Sequence, residues 1–368
     1  MTDFSQFVPA HIRKLAEGNR ARPLKQSSGS ARPIALNLNE NPFGPSPLAL
    51  KAISAALSGV HRYPEIQATE LHEAIAAFHR VKSDQVLVTA GATELLCILA
   101  KALLAPGLNA ITSARSFIVY KLATQGTEGR LIKVATRENG YDLDAIADAI
   151  DANARIVFLA NPNNPTGTLV TADQVDRFFD RLPEHVLVVL DEAYGDFAED
   201  FAQQRRVVYS RSLEYVRQGR NVVLLKTFSK THGLAGLRVG YGIGPTRLIS
   251  LFAPLRTIFS VSSIAQAAAL AAIHDTEHIR RAVKNNAAQA EILTAGLKRL
   301  GFPVPQTWAN FLYCELGQDA AAFAERLRIA GVIVQPLGMW DAPTAVRVSI
   351  GTPEQNVQFL KVLREIND

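Results

Sequence analysis

Cysteine is nearly absent from this chain: among 368 residues only Cys97 and Cys314 carry a thiol, far apart and each inside an apolar stretch. Two such positions build neither a disulfide framework nor a metal site, and both read as small core residues of a protein kept in a reducing compartment. A run of about 18 apolar residues, the length of a membrane-spanning helix, is also missing. The first residues, MTDFSQFVPAHIRKL, lack the charged-then-apolar order of a signal peptide. These absences exclude the secreted disulfide scaffolds and the helical membrane proteins, and they lead to a cytoplasmic expectation. Basic runs are lacking as well. Lys and Arg outnumber Asp and Glu by 39 to 34, a formal charge of +5 spread along the chain. Nucleic acid is therefore a weak expectation, while a small anionic cofactor or substrate stays open. Gly240–Gly244 reads GYGIG, without the G-x-G-x-x-G spacing of a dinucleotide turn.

What is present is a β-rich middle. QVLVT, NAIT, RLIKVA, RIVFLA, VLVVLD and NVVLLK begin near residues 85, 109, 130, 155, 186 and 221. Helical patterns over 93–104, 117–125, 143–150 and 172–181 separate most of them. This alternation predicts an α/β fold, a mainly parallel sheet covered on both faces by helices. LRVGYGIG adds a seventh strand, at an edge or antiparallel. The polar residues 1–45, with SSGSARP and a proline-rich turn, form an arm without a core of its own. A large domain is expected over 46–255 and a smaller α+β domain over 256–368, where a long helical region, 263–299 with possible breaks, precedes FLYCEL, VIVQP and AVRVSI.

Open parallel sheets bind ligands at the carboxyl ends of their strands. After QVLVT, Gly91 precedes a helix whose first backbone N–H groups, at Ala92 and Thr93, suit an anion. After RIVFLA, the loop NPNNPTG presents the amide of Asn164. After VLVVL comes Asp191, then Tyr194; a carboxylate there reads either as a helix N-cap or as the partner of a buried cation. After NVVLLK comes TFSK, with Lys230 between hydroxyls and Arg238 eight residues on. An amine, a carboxylate, an amide, a phenol and several phosphate donors together complement each group of pyridoxal 5′-phosphate.

At this point the chain resembles the fold-type I PLP-dependent aminotransferases, in particular the histidinol-phosphate aminotransferase-like branch. LNLNENPFGPSP, RYPE, TAGATE, NPNNPTG, DEAY, TFSK, GLAGLRVGY and VRVSIGTPE stand in that family's order nearly end to end. The resemblance implies a PLP transferase fold with a seven-stranded sheet and a smaller α+β domain, and an amine transfer to a 2-oxo acid such as 2-oxoglutarate. It implies Lys230 as the Schiff-base lysine and proton carrier, Asp191 on the pyridine nitrogen, and Asn164 with Tyr194 on the phenolate oxygen. Phosphate contacts would come from Ala92, Thr93, Thr227, Ser229 and Arg238, with Phe117 stacked on the ring. Tyr63 would reach the phosphate of a neighbouring subunit, so a homodimer with shared sites is implied. Arg347 would clamp the substrate carboxylate, with Asn310 and Asn41 nearby. Two departures bear on the substrate. Gln335 stands where relatives that act on histidinol phosphate carry an arginine, and Glu17-Gly18-Asn19 replaces a common tyrosine. An aromatic amino acid is therefore a competing donor, and α-decarboxylation of the threonine-phosphate type is a competing reaction on the same residues.

Overall fold

The computed structural model describes residues 7–18 and 33–367. Asn19 and all of SSGSARP except its final proline lie outside the described residues. The strands in chain order are β1 (Ile34–Ala35), β2 (Val86–Thr89), β3 (Asn109–Ser113), β4 (Arg130–Val134), β5 (Ala154–Ala160), β6 (Leu187–Asp191), β7 (Val222–Thr227), β8 (Gly240–Ile243), β9 (Phe311–Glu315), β10 (Val332–Ile333), β11 (Gln335–Pro336) and β12 (Ala345–Ser349). Strands β2 to β8 make one sheet in the order β2-β8-β7-β6-β5-β3-β4. Its central members are nearly continuous runs of Val, Ile and Leu because helices cover both faces and leave no side for polar residues.

All pairs are parallel except those of β8, which runs antiparallel to β2 and to β7. The seventh strand is thus antiparallel as expected, but it is interior and β2 forms the edge. Glycine is what permits this. A Cβ at Gly240 would lie 2.7 Å from the Ala92 nitrogen, and one at Gly242 would lie 2.7 Å from Leu95 Cδ2. The helix Gly91–Leu103 therefore presses directly onto β8.

Helices Ile118–Gln125, Leu143–Asp148 and Ala172–Phe179 fall where the sequence places them. Helices Gly195–Arg205 and Ser212–Arg217, between β6 and β7, carry weaker patterns. The long helical region divides into Ser263–Ala272 and Thr276–Arg299, with Asp275 capping the second by accepting from the His278 N–H. One apolar core runs from Ala49 to Ile273 on the two faces of the large sheet. A second gathers Leu36, Phe323, Val346, Val348 and Phe359 around the antiparallel sheet β11-β12-β9. β1 pairs in parallel with β10, which ties the arm to this smaller unit.

Behind the sheet's carboxyl edge lies a buried ion pair, Lys226 Nζ to Glu192 Oε2 at 2.9 Å, with Ser210 Oγ donating to Glu192 Oε1 at 2.7 Å. Burial opposes both charges, yet each holds the other in its ionised form, so the Glu192 carboxyl sits below and the Lys226 amine above the usual range. Lys226→Met leaves Glu192 buried and unpaired, and is expected to lower unfolding stability by about 3 kcal/mol in urea titrations. Adding Glu192→Gln is expected to restore most of that loss. A single-variant loss below about 1 kcal/mol would show the pair to be dispensable.

Candidate active site

The carboxyl ends of β2, β5, β6 and β7 open, with the loop before helix Pro47–Ala56 and with β11 and β12, onto a cavity of about 460 Å³. Ala92, Thr93, Phe117, Asn164, Asp191, Tyr194, Thr227, Ser229, Lys230, Arg238, Gln335 and Arg347 all line it. Residues separated by as much as 255 positions are thus brought to one wall: those from Ala92 to Arg238 lie at or follow strand ends of the large sheet, whereas Gln335 and Arg347 come from the smaller sheet.

The β7–β8 loop is folded on itself. The Ser229 N–H donates to Thr227 Oγ1 at 3.1 Å, and Thr227 Oγ1 donates to Ser229 Oγ at 2.9 Å. Arg238, in the left-handed region at φ +54°, turns its guanidinium over Gly91, where a Cβ would come within 2.6 Å of Nη2. Gly91 is itself at φ +76° and begins a helix with no side-chain cap. Open N–H groups at a helix start, two hydroxyls and a guanidinium therefore converge on one spot. That donor set complements a phosphate dianion.

Asp191 ends β6 and is buried. Its Oδ2 accepts from Tyr120 Oη at 2.8 Å and its Oδ1 from the Ala193 N–H at 3.1 Å. Burial outweighs both bonds and pushes the carboxyl up to about 6. Among the described residues no ion pair satisfies it, so the site offers a carboxylate that a cationic N–H facing the cavity would complete. Tyr194 is likewise buried, and burial keeps its phenol protonated. Asn39 Nδ2 and Asn164 Nδ2 both donate to Tyr194 Oη, at 3.0 and 3.3 Å. The loop presenting Asn164 is pinned by Asn163, whose Nδ2 donates to the Arg115 carbonyl at 2.7 Å and to Thr166 Oγ1 at 2.8 Å.

Lys230 Nζ donates to the carbonyls of Leu38 and Asn39, at 3.2 and 3.0 Å. Burial, then the nearby Arg347 cation, lower the amine to about 7. An amine so placed is a usable base at neutral pH. Arg347, in the middle of β12, is buried and, among the described residues, held by neutral partners only: Nη1 donates to Asn164 Oδ1 at 2.6 Å and Nη2 to the Asn37 carbonyl at 2.7 Å, while Nε finds none there.

Three of the expected residues are not on this wall. Asn41 is turned away, donating to the Thr231 carbonyl at 2.8 Å. Asn310 lies behind Asn39, whose carbonyl accepts from its Nδ2 at 3.0 Å. Tyr63 is 81 % exposed and stacks on Phe259 with ring centroids 4.6 Å apart. Conversely, Tyr120, Asn39, Glu40 and Trp340 belong to the site and were not expected. Tyr120 falls three residues after Phe117 on the apolar side of a helix, where nothing separates it from an ordinary core ring. Trp340, a large ring in the short glycine-containing stretch Gly338–Trp340, was the more legible signal.

The profile of the family "Aminotransferase class I and II" matches residues 31–363. The chain belongs to that family and is a PLP-dependent aminotransferase of fold type I. It is 40 % identical over 367 residues to histidinol-phosphate aminotransferase 2 of Ralstonia nicotianae, covering 97 % of this chain and 96 % of that one. It is 41 % identical over 333 residues to histidinol-phosphate aminotransferase 2 of Pseudomonas fluorescens, covering 90 % and 88 %. The structure superposes on histidinol-phosphate aminotransferase of Sinorhizobium meliloti, solved in complex with pyridoxal-5′-phosphate, with a TM-score of 0.88 at 26 % identity and full coverage of both chains.

Proposed function

We propose that the enzyme moves an amino group from histidinol phosphate to 2-oxoglutarate, with the cleft described above as its catalytic site. The observation that carries this reading is Arg347: a buried guanidinium with no carboxylate partner among the described residues, facing the same cavity as the Lys230 amine. A planar anion on Arg347 would set the substrate Cα–H bond toward Lys230. The donor is carried over from the relatives named above, which are histidinol-phosphate aminotransferases.

When bound, the cofactor supplies the electron sink that lets a Cα–H bond break. The chain's own residues do the rest. Lys230 Nζ would take the proton from the substrate Cα and hold it until it is handed back in the second half of the transfer. Asp191 would keep a proton on the ring nitrogen. Tyr194 and Asn164 would donate to the ring oxygen, while Ala92, Thr93, Thr227, Ser229 and Arg238 would hold the phosphate and Phe117 would cover a ring face.

A second donor is favoured by specific residues. Gln335, the Cα partner of Arg347 across β11 and β12, brings an amide where a second cation would suit a phosphate. Its Nε2 donates to the Pro336 carbonyl at 3.0 Å. With Trp340 and the acidic Glu40 on the same wall, the site also suits an aromatic amino acid carrying one negative charge. A panel of histidinol phosphate, phenylalanine and tyrosine, each followed with 2-oxoglutarate as the glutamate formed, separates the donors. A kcat/KM for histidinol phosphate at least about tenfold above the others upholds the first reading; the reverse order replaces it with the second. Carbon dioxide release without amino transfer would overturn both.

Arg347→Lys is expected to lower kcat/KM about 100-fold, chiefly through KM, because an ammonium cannot reproduce the two-point grip of a guanidinium. A change under threefold in steady-state kinetics would remove Arg347 from the substrate site.

We further propose a homodimer in which Tyr63 crosses to the partner's cavity. Its support is the exposed Tyr63–Phe259 pair, with Leu57, Val60 and Ile258 also uncovered. Sedimentation equilibrium should give twice 40.0 kDa; a monomer at micromolar concentration would dismiss it. The cytoplasm is the compartment we propose, supported by two cysteines that are both free.

A further inference from the structure

The amino ends of the same strands carry a second cavity, of about 650 Å³, on the edge of the sheet opposite the catalytic cleft. Leu187, which starts β6, lines it, while Asp191, which ends β6, lines the cleft. Four residues of strand, about 13 Å, separate them. The floor is apolar, built from Leu103, Phe179, Leu187 and Phe252.

Above that floor, among the described residues, stand three guanidiniums, those of Arg155, Arg220 and Arg247, against a single lining carboxylate, Glu184. Arg155 is fixed by backbone acceptors, its Nη1 donating to the carbonyls of Ala152 and Ala154 at 2.8 and 2.7 Å. Arg247 Nη2 donates to the Gly219 carbonyl at 2.9 Å. Neither arginine has an ion-pair partner among the described residues. Arg220 lies over the Phe179 ring at 5.4 Å, and its nearest acid, Asp180 at 3.8 Å, is itself largely exposed.

A guanidinium offers five N–H donors, and these bonds leave several of them on Arg155 and Arg247 unused. The carbonyls that hold them carry no full negative charge to cancel theirs. Fixed arginines with spare donors favour a carboxylate, since little side-chain freedom is lost when one binds. The apolar floor selects against a small hydrated ion and for a ligand with a hydrophobic body.

We propose that this cavity binds a small amphipathic carboxylate, an aromatic or compact apolar body bearing one negative charge, at a site separate from the catalytic cleft. The probes are 8-anilinonaphthalene-1-sulfonate, read by fluorescence, and 4-phenylbutyrate and inorganic phosphate as competitors, all with the cofactor-loaded enzyme. One saturable sulfonate site is expected, displaced by 4-phenylbutyrate but not by phosphate at the same concentration. Arg155→Glu/Arg247→Glu is expected to weaken probe binding by about tenfold or more while amine transfer is retained. Arg247 is exposed, so Arg247→Gln tests the site without risk to the fold and should weaken binding about threefold. Arg347→Ala, in the other cavity, should leave probe binding unchanged. Undiminished binding in Arg247→Gln, loss of binding in Arg347→Ala, or equal displacement by phosphate would each overturn the proposal.

Discussion

Replacing Lys230 by alanine is expected to lower kcat by about 10³-fold or more and to end covalent retention of the cofactor after borohydride treatment. The argument starts from the amine's surroundings. Burial and the Arg347 cation bring Lys230 to about 7 from its ordinary 10.5, so near neutral pH it is available both as a nucleophile and as a base. Among the described residues no other amine lines the cavity. The loss should not come from unfolding. A lysine whose folded pKa is depressed binds fewer protons folded than unfolded between pH 7 and 10.5, so its contribution to stability rises with pH through that window. Below pH 7 the folded protein carries the whole cost of a half-buried ammonium beside the Arg347 cation. The alanine variant without cofactor should therefore be no less stable than the parent at pH 6, and relatively less favoured at pH 9. Urea midpoints at the two pH values check this sign. If borohydride still fixed the cofactor to the alanine variant, another amine would have to be the attachment point.

Much of this site is legible in the order of the residues, for a definite reason. A buried parallel strand admits few polar side chains, so Asp191 after VLVVL, or Lys230 after a run of Val and Leu, stands out as needing a partner. Once the strands are aligned, their carboxyl ends must be neighbours, and the contents of separate loops can be pooled. The partners of those residues are less legible. Tyr120 reads as core until the structure shows its hydroxyl on Asp191 and its ring stacked on Phe158 at 4.7 Å. Asn39 acts through contacts that no spacing reveals: its side chain donates to Tyr194, and its carbonyl accepts from Lys230 and from Asn310. The interior position of β8 was hidden for another reason. Strand order depends on how closely a helix can approach, and here that turns on the bare faces of Gly240 and Gly242.

Asp191→Asn is expected to separate activity from stability. The amide keeps the shape of the carboxylate but has no charge with which to hold a proton on the cofactor's ring nitrogen, so kcat should fall by about 10³-fold. The cofactor-free protein should become more stable at the same time. In the parent, burial lifts the Asp191 carboxyl from 3.8 to about 6, and a group whose folded pKa is raised loses stability as pH climbs through that interval. Above pH 6 the buried, ionised carboxylate costs about 3 kcal/mol, from roughly two pKa units at 1.36 kcal/mol each. The amide has no such cost. It retains a carbonyl oxygen for the Ala193 N–H, but it turns an N–H toward Tyr120, whose hydroxyl loses its acceptor at a cost of about 1 kcal/mol. A net gain of about 2 kcal/mol is therefore expected at pH 8, shrinking below pH 6 and reversing near pH 4, where the parent carboxyl is protonated and can itself donate. Saturating cofactor should favour the parent instead, because only the carboxylate gains a cationic partner on binding. Urea titrations at pH 4 and 8, with and without pyridoxal 5′-phosphate, read all of these signs. A variant that is less stable than the parent at pH 8 without cofactor, or that turns over within tenfold of it, would show that the Asp191 charge is not what the site is built around.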